Sequence, residues 1–213
     1  IREDIDIMHT IAGLLQHRDG FKSYNLPGII DEFERYTKNE LDFRREAKNY
    51  VKFRENFRKF KDMWFPKPFM EYSTEKLLVT EFVNGVEIRD ILKLRKLKVN
   101  TRRIARIGTL AVLKQIFEDR FFHGDSHPGN LFVTGKRRIA CVDVGIVGQL
   151  GEAQAEKLLM TTFYVTQEET QKVLDTVLEI GVPSPNADVE KFRAEASELL
   201  EEWYGTSLKE ERI

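Results

Sequence analysis

The sequence predicts an α+β fold, a short β section set among many helices, and three observations carry that prediction. Apolar residues recur at helical spacing before residue 61 and again after Gly151; a run of strand formers occupies 76–83; two short apolar runs flank a Gly/Lys/Arg turn near 136.

The elements follow in order. Ile5, Met8, Ala12 and Leu15 recur as one helix face, with Asp4 and Asp6 in the first turn. Gly20 and Pro27-Gly28 break that helix, and a charged helical pattern runs from Ile29 to about Lys61, with Phe33, Leu41, Phe43, Tyr50, Phe53, Phe57 and Phe60 on its buried side. Phe65-Pro66-Lys67-Pro68 ends it, because proline disfavours the helical region for the residue before it. Lys76–Val83 reads as a strand closed by the turn signal Asn84-Gly85. Residues 101–120 read as a long helix with Thr101 as N-cap and Ile104, Ile107, Leu110, Ala111, Leu113, Ile116 and Phe117 on its apolar face. Past Gly151, Thr166 and Glu169 have the spacing of a capping box, and Gly181-Val182-Pro183 closes that helix. A last helix starts near Asp188 and carries Phe192, Ala196, Leu199, Leu200 and Trp203 on one side.

Composition removes several classes. With 34 Lys+Arg against 35 Asp+Glu in 213 residues, the chain lacks the basic excess of a generic nucleic-acid binder. One cysteine excludes a disulfide framework. No apolar run approaches the ~18 residues of a membrane span and no signal peptide is visible, so the expectation is a cytoplasmic chain whose contact with a membrane, if it has one, is peripheral. The first residue is Ile1, which suggests a piece of a longer chain.

The chemistry concentrates in Phe121-Phe122-His123-Gly124-Asp125-Ser126-His127-Pro128-Gly129-Asn130 and the hairpin that follows, down to Asp143-Val144-Gly145. With a turn centred between Lys136 and Arg137, Asn130 would face Asp143 across the hairpin. Mg²⁺ takes oxygen ligands, one or two of them carboxylates, and phosphoryl transfer adds a carboxylate that orients the acceptor hydroxyl. The spacing His-x-Asp-x-x-x-x-Asn matches the protein-kinase catalytic loop, and Asp143-Val144-Gly145 sits where kinases carry Asp-Phe-Gly. Asp125 is then the candidate catalytic carboxylate, and Asn130 and Asp143 are the candidate metal ligands. His123 fits a loop brace better than a proton carrier, and Cys141 reads as core.

That loop, together with Glu40-Leu41-Asp42-Phe43-Arg44-Arg45-Glu46-Ala47-Lys48-Asn49, resembles the UbiB-like atypical kinases, also called aarF-domain-containing kinases. The resemblance weakens after about Gly181. It implies a protein-kinase-like fold: 1–83 as a partial N-lobe region with the acidic helical segment and hinge-side strands, and 84–213 as a mostly helical C-lobe. It implies ATP and Mg²⁺ as cofactors, an acceptor it does not name, and a link to isoprenoid-quinone or lipid metabolism. By matching position it makes Glu46 the αC-type glutamate that pairs with an ATP-binding lysine and assigns Glu40 and Asp42 to the family's acidic motif. Glu81 and Val83, in the hinge, become nucleotide-contacting positions, and His123 joins Asp125 and Glu46 in the catalytic set. The residues alone put Asp42 and Glu46 on one helix face at i,i+4, where like charges repel.

The family's alanine-rich nucleotide loop, strand lysine and Lys-x-Gly-Gln motif have no counterpart in the sequence, so this piece alone is expected to turn over little or no ATP. Three rivals stand beside this reading. An aminoglycoside- or choline-kinase-type phosphotransferase shares a very similar loop but is not expected to carry the Glu40–Glu46 motif. A pseudokinase-like binding module would keep the fold without the chemistry. A Zn²⁺ hydrolase would use His123, Asp125 and His127. Separately, Lys93, Arg95, Lys96, Lys98, Arg102, Arg103 and Arg106 form a basic run without an acidic residue, suited to anionic lipid headgroups.

Overall fold

A computed structural model describes residues 2–18, 20–21, 24–40, 42–135, 137–181 and 183–205. They form two compact units, 1–149 and 150–213. The division falls after the last strand, whereas the lobe boundary expected after Val83 lies inside the first unit.

The first unit opens with two packed helices, α1 (Arg2–Leu15) and α2 (Leu26–Glu40). Ile5 and Ala12 are buried, and Pro27 lies at the start of α2, where its missing N–H costs nothing. The helical pattern expected to run unbroken from Ile29 to Lys61 is two helices. α3 (Phe43–Asn56) starts afresh at Asp42, whose Oδ1 accepts the Arg44 N–H at 3.1 Å. Asp42 is therefore a cap outside the helix, and its predicted i,i+4 repulsion with Glu46 does not arise. Leu41 lies outside the described residues, as does the side chain of Glu40.

Strands β1 (Met63–Trp64), β2 (Val86–Glu87), β4 (Leu131–Thr134) and β5 (Arg138–Cys141) form a sheet in the order β1-β5-β4-β2, while β3 (Phe121–His123) pairs antiparallel with β6 (Val147–Gln149). The strand expected at 76–83 is absent as a strand. That segment runs beside 67–69 with one isolated bridge, Pro68 to Thr80, and two flanking bonds, Phe69 N–H to Val79 O (2.8 Å) and Glu81 N–H to Lys67 O (2.8 Å). Pro66 and Pro68 carry no N–H, so the ladder cannot extend.

The hairpin register is also corrected. Leu131 pairs with Cys141 and Thr134 with Arg138, which leaves a three-residue turn with Gly135 at φ +61°. The expected pairing needed a two-residue turn; with three, Asn130 lies opposite Val142, whose N–H bonds its carbonyl at 2.8 Å, and Asp143 lies one residue farther.

Helix α4 (Ile91–Lys96) precedes α5 (Thr101–Leu113), which is capped by Asn100 and not by Thr101: the Asn100 Oδ1 accepts the Arg103 N–H at 2.9 Å. A π-type turn, Lys114–Glu118, then replaces the last stretch of the long helix expected to 120. The core gathers Tyr50, Phe53, Phe57, Phe65, Leu94, Ile104, Ile107, Phe121, Ile139, Cys141 and Val144. Phe53 is its centre, stacked on Phe65 (4.6 Å between centroids) and tilted against Phe121 (4.8 Å).

The second unit holds α6 (Glu152–Thr166), α7 (Thr170–Ile180) and α8 (Val189–Gly205), with Ala155, Val173 and Leu174 buried. Thr166 is the last residue of α6 and bonds back to Phe163 O, so no capping box forms with Glu169. α7 ends at Gly181 and Asp188 accepts the Lys191 N–H at the start of α8, both as the sequence predicts. Leu199 and Trp203 on α8 are exposed.

Candidate active site

The site is built around the backbone of 143–145. Asp143 adopts φ +60°, a left-handed conformation that costs a non-glycine residue energy and needs external support. Support comes from three directions. The Asp143 N–H donates to the Tyr50 hydroxyl at 2.7 Å, its carbonyl meets His123 Nε2 at 2.6 Å, and its Oδ1 accepts the Gly145 N–H at 3.3 Å. Val144 is fully buried, with its N–H on Glu46 Oε1 (3.1 Å) and its carbonyl on Asn49 Nδ2 (2.8 Å). Glu46, Asn49 and Tyr50 are i, i+3 and i+4 on α3, so one helix face holds the segment through its backbone. Valine at the position where kinases carry phenylalanine changes the buried side chain and leaves Asp143 in place.

His123 is buried and both ring nitrogens are engaged. Nδ1 accepts the Asp125 N–H at 3.0 Å, which leaves Nε2 as the protonated nitrogen that donates to the Asp143 carbonyl. Burial lowers its pKa, which fits this neutral tautomer; the backbone bond and the Asp143 and Asp125 charges oppose the shift. The ring thus ties Asp125 to Asp143 and has no nitrogen free for a metal. Gln115, buried in the π-type turn, accepts the His123 N–H at 2.9 Å and fixes the strand end. His127 Nδ1 accepts the Gly129 N–H at 3.1 Å and starts the short 3₁₀ turn Pro128–Asn130. A Zn²⁺ centre on His123, Asp125 and His127 has no support: among the described residues no group of three His, Cys, Asp or Glu could hold a metal ion.

Asp125 and Asp143 are exposed, while Asn130 is half-buried at the end of the 3₁₀ turn. An amide oxygen and a carboxylate on neighbouring backbone suit Mg²⁺, which usually takes one or two protein carboxylates and completes its shell with water and phosphate. Glu46 has a raised pKa, chiefly from burial and further from the Asp143 charge, against the lowering effect of the Val144 N–H. An added cation would favour its ionised form.

The hinge positions divide. Glu81 accepts the Lys67 N–H at 3.2 Å and lies 3.9 Å from Arg54. A cavity of about 470 Å³ lies instead against Gly85, Val86, Glu87, Asp90 and Phe132, and neither Glu81 nor Val83 lines it. Gly85 is required there, because a Cβ would come within 2.9 Å of the Val133 carbonyl. Phe132 lies two residues past Asn130 on β4. Sequence reasoning missed Asn49, Tyr50, Gln115 and Phe132. The spacing 46, 49, 50 was a usable signal for the first two, whereas nothing local marked the others.

This clamp of helix glutamate, catalytic-loop histidine and Asp-x-Gly backbone, in a mixed helical fold with a small sheet, defines a protein-kinase-like chain. The comparisons agree and narrow it. The description "ABC1 atypical kinase-like domain" matches residues 1–177, and the chain belongs to that family. It is similar to the probable protein kinase UbiB of Aliivibrio fischeri strain MJ11, 32% identical over 197 residues, covering 90% of this chain and 36% of the relative. The UbiB of Marinobacter nauticus is 29% identical over 215 residues, covering 99% of this chain and 39% of the relative. The chain thus spans somewhat over a third of the length of these relatives. A solved structure, the Rv3197–erythromycin complex from Mycobacterium tuberculosis, shares the fold with a TM-score of 0.63 at 24% identity, over 94% of this chain and 50% of that one. The matched span includes Glu40–Glu46, the stretch expected to separate the chain from aminoglycoside- and choline-type kinases.

Proposed function

We propose that this chain supplies the catalytic-loop and metal-binding face of an ATP-dependent, Mg²⁺-using atypical kinase or ATPase. Asp125 orients or deprotonates the acceptor, Asn130 and Asp143 hold the metal, and Glu46 pairs with a lysine. Mg²⁺ would neutralise charge on the transferred phosphate; the chain's own part is to fix the oxygens that face it. The observation that carries this reading is the strained Asp143, held in place by Tyr50 and His123 while its carboxylate stays exposed. The cavity bordered by Phe132 and Glu87 offers an aromatic wall to a nucleobase. A link to quinone or lipid metabolism belongs to this proposal too.

The test is nucleotide binding by calorimetry with and without Mg²⁺, on this chain and, for comparison, on one of its longer UbiB relatives. Asp143→Asn should abolish the Mg²⁺ dependence. Asp125→Asn should spare binding and lose turnover. Binding indifferent to Mg²⁺ and to Asp143 would leave a pseudokinase-like module as the better account.

A peripheral contact with anionic membrane is a second part of the proposal. Leu92, 73% exposed, stands just before the basic residues of 93–106 and Leu97, 46% exposed, among them, pairing apolar insertion with charge. No described helix is long and apolar enough to cross a membrane. Co-sedimentation with anionic but not neutral vesicles, weakened by salt, would support the contact, and indifference to both would remove it.

A further inference from the structure

A second cavity, of about 400 Å³, lies at the other end of α3, away from the loop residues. Its lining combines four cations, Arg54, Arg58, Lys61 and Arg138, with a single carboxylate, Glu81, and an aromatic wall that includes Phe57, Phe60 and Trp64. Pockets of this size accommodate small ligands when a few polar groups converge on an apolar wall.

Among the described residues, three of the four cations have no carboxylate within ion-pair distance, and Arg54 has one at its limit. Arg54 Nη1 donates to the Phe65 carbonyl at 2.6 Å, and its nearest carboxylate, Glu81, is 3.9 Å off and already accepts the Lys67 N–H. Lys61 Nζ donates to the Arg58 carbonyl at 2.8 Å. Arg138 lies over the Trp64 ring, 5.6 Å from its centroid, and Trp64 is itself fixed by Nε1–H donating to Thr134 Oγ1 at 3.1 Å. Among the described residues Arg58 has no carboxylate partner. Bonds to carbonyls and a ring face position these side chains while leaving their charge for an anion. The carbonyls at the C-terminus of α3 disfavour an anion, but their partial charge is small beside four full positive ones. Phe57 and Phe60, edge to face at 5.4 Å, supply a flat apolar surface beside the charges.

We infer that this cavity is a binding site for a small phosphate monoester carrying a flat apolar group. The aromatic wall takes the flat group, and Arg58, Arg54, Lys61 and Arg138 take the phosphate. It goes beyond the proposed phosphotransfer site, whose loop residues it does not share.

Trp64 gives a direct readout, because the chain has two tryptophans and the other, Trp203, lies on α8 in the second unit. The two indole N–H signals are followed by NMR while the chain is titrated with phenyl phosphate, inorganic phosphate or benzyl alcohol, without Mg²⁺ or nucleotide. Phenyl phosphate should shift the Trp64 signal saturably at about millimolar concentration or below, inorganic phosphate more weakly and benzyl alcohol least, with Trp203 unmoved. Arg58→Glu, at an exposed position, should weaken phenyl phosphate about tenfold or more, since it turns one of the four attractions into a repulsion. A non-saturating response, equal responses to phenyl phosphate and benzyl alcohol, or an Arg58→Glu titration like the parent's would overturn the proposal. Loss of Mg²⁺-nucleotide binding in Asp143→Asn with the Trp64 titration intact would separate this site from the proposed catalytic one.

Discussion

The two ends of α3 carry opposite chemistry on one rigid element. Toward its start, Glu46, Asn49 and Tyr50 are spent on the backbone of 143–144, and the charges they help organise are carboxylates. Toward its end, Arg54 and the following Arg58 and Lys61 line an open cavity, and Glu81, 3.9 Å from Arg54, is the one carboxylate in its lining. Arg54 lies eight residues past Glu46, roughly 12 Å along the helix at 1.5 Å per residue. Between them the apolar stripe Ala47, Tyr50 and Phe53, continued by Phe57, seats the helix in the core. The contrast teaches that backbone bonds can serve either end: at one they hold a strained segment, at the other they position cations beside a cavity.

The change with the largest expected effect breaks both ends at once. Phe53 is fully buried, stacked on Phe65 and tilted against Phe121, so Phe53→Ala should cost about 3–5 kcal/mol by lost burial and a residual cavity. For a chain of this size that is a drop of roughly 6–20 °C in Tm by calorimetry, with the Trp64 signal and the Asp143 segment perturbed together. If one end is disturbed without the other, α3 does not couple them.

A smaller change separates the ends. Tyr50→Phe keeps the ring in the core and removes the acceptor of the Asp143 N–H, which should cost about 1–3 kcal/mol because a backbone donor is left unpaired. Amide hydrogen exchange should rise at 143–145 while titrations at Trp64 stay as they were. Unchanged exchange there would mean that the hydroxyl does not support the left-handed Asp143.

How much of this was visible beforehand follows the same division. The loop and the Asp-x-Gly triplet were legible because they are close in sequence: Asn130 and Asp143 flank one hairpin, and Asp125 lies in the loop before it. Its register was not, since a two- and a three-residue turn around Lys136 suit the same residues and only φ at Gly135 separates them. The break at Asp42 was hidden because charged helical periodicity continues across it. The 76–83 segment has strand propensity but faces a partner whose prolines cannot donate. Tyr50 and Asn49 act on groups 93 and 95 residues away, so their spacing from Glu46 put them on one helix face without showing what that face holds; the basic cavity, assembled from α3, the turn after it, Glu81 and the hairpin, had no local signature.

Acidification probes the clamp more gently through His123. Burial holds its pKa below the ordinary value near 6.5, so the unfolded chain takes up the proton first. Stability should therefore be fully present above about pH 6.5 and decline as pH falls through the lowered folded value. Hydrogen exchange at Asp125 and 143–145 should rise in that window, with no matching change around Trp64. Protection there that improved on acidification would contradict a neutral, bracing His123.

The smallest expected effect is the most discriminating. Glu46→Gln keeps an oxygen for the Val144 N–H but removes a half-buried charge that burial and Asp143 both disfavour, so stability at pH 7 should change by about 1 kcal/mol or less, in either direction. Glu46 titrates with the opposite sign to His123. Its folded pKa is raised, so the parent regains stability as pH falls through that raised value toward 4.5, and the variant lacks this arm. Melting curves across that range should thus fall more steeply for Glu46→Gln than for the parent. Mg²⁺-nucleotide binding should weaken in the variant despite the intact fold, because the lost charge is the one proposed to face a lysine. If stability collapses instead, Glu46 is a structural anchor whose charge the fold requires; if stability and binding both hold, the carboxylate has no part in the site beyond accepting one backbone bond.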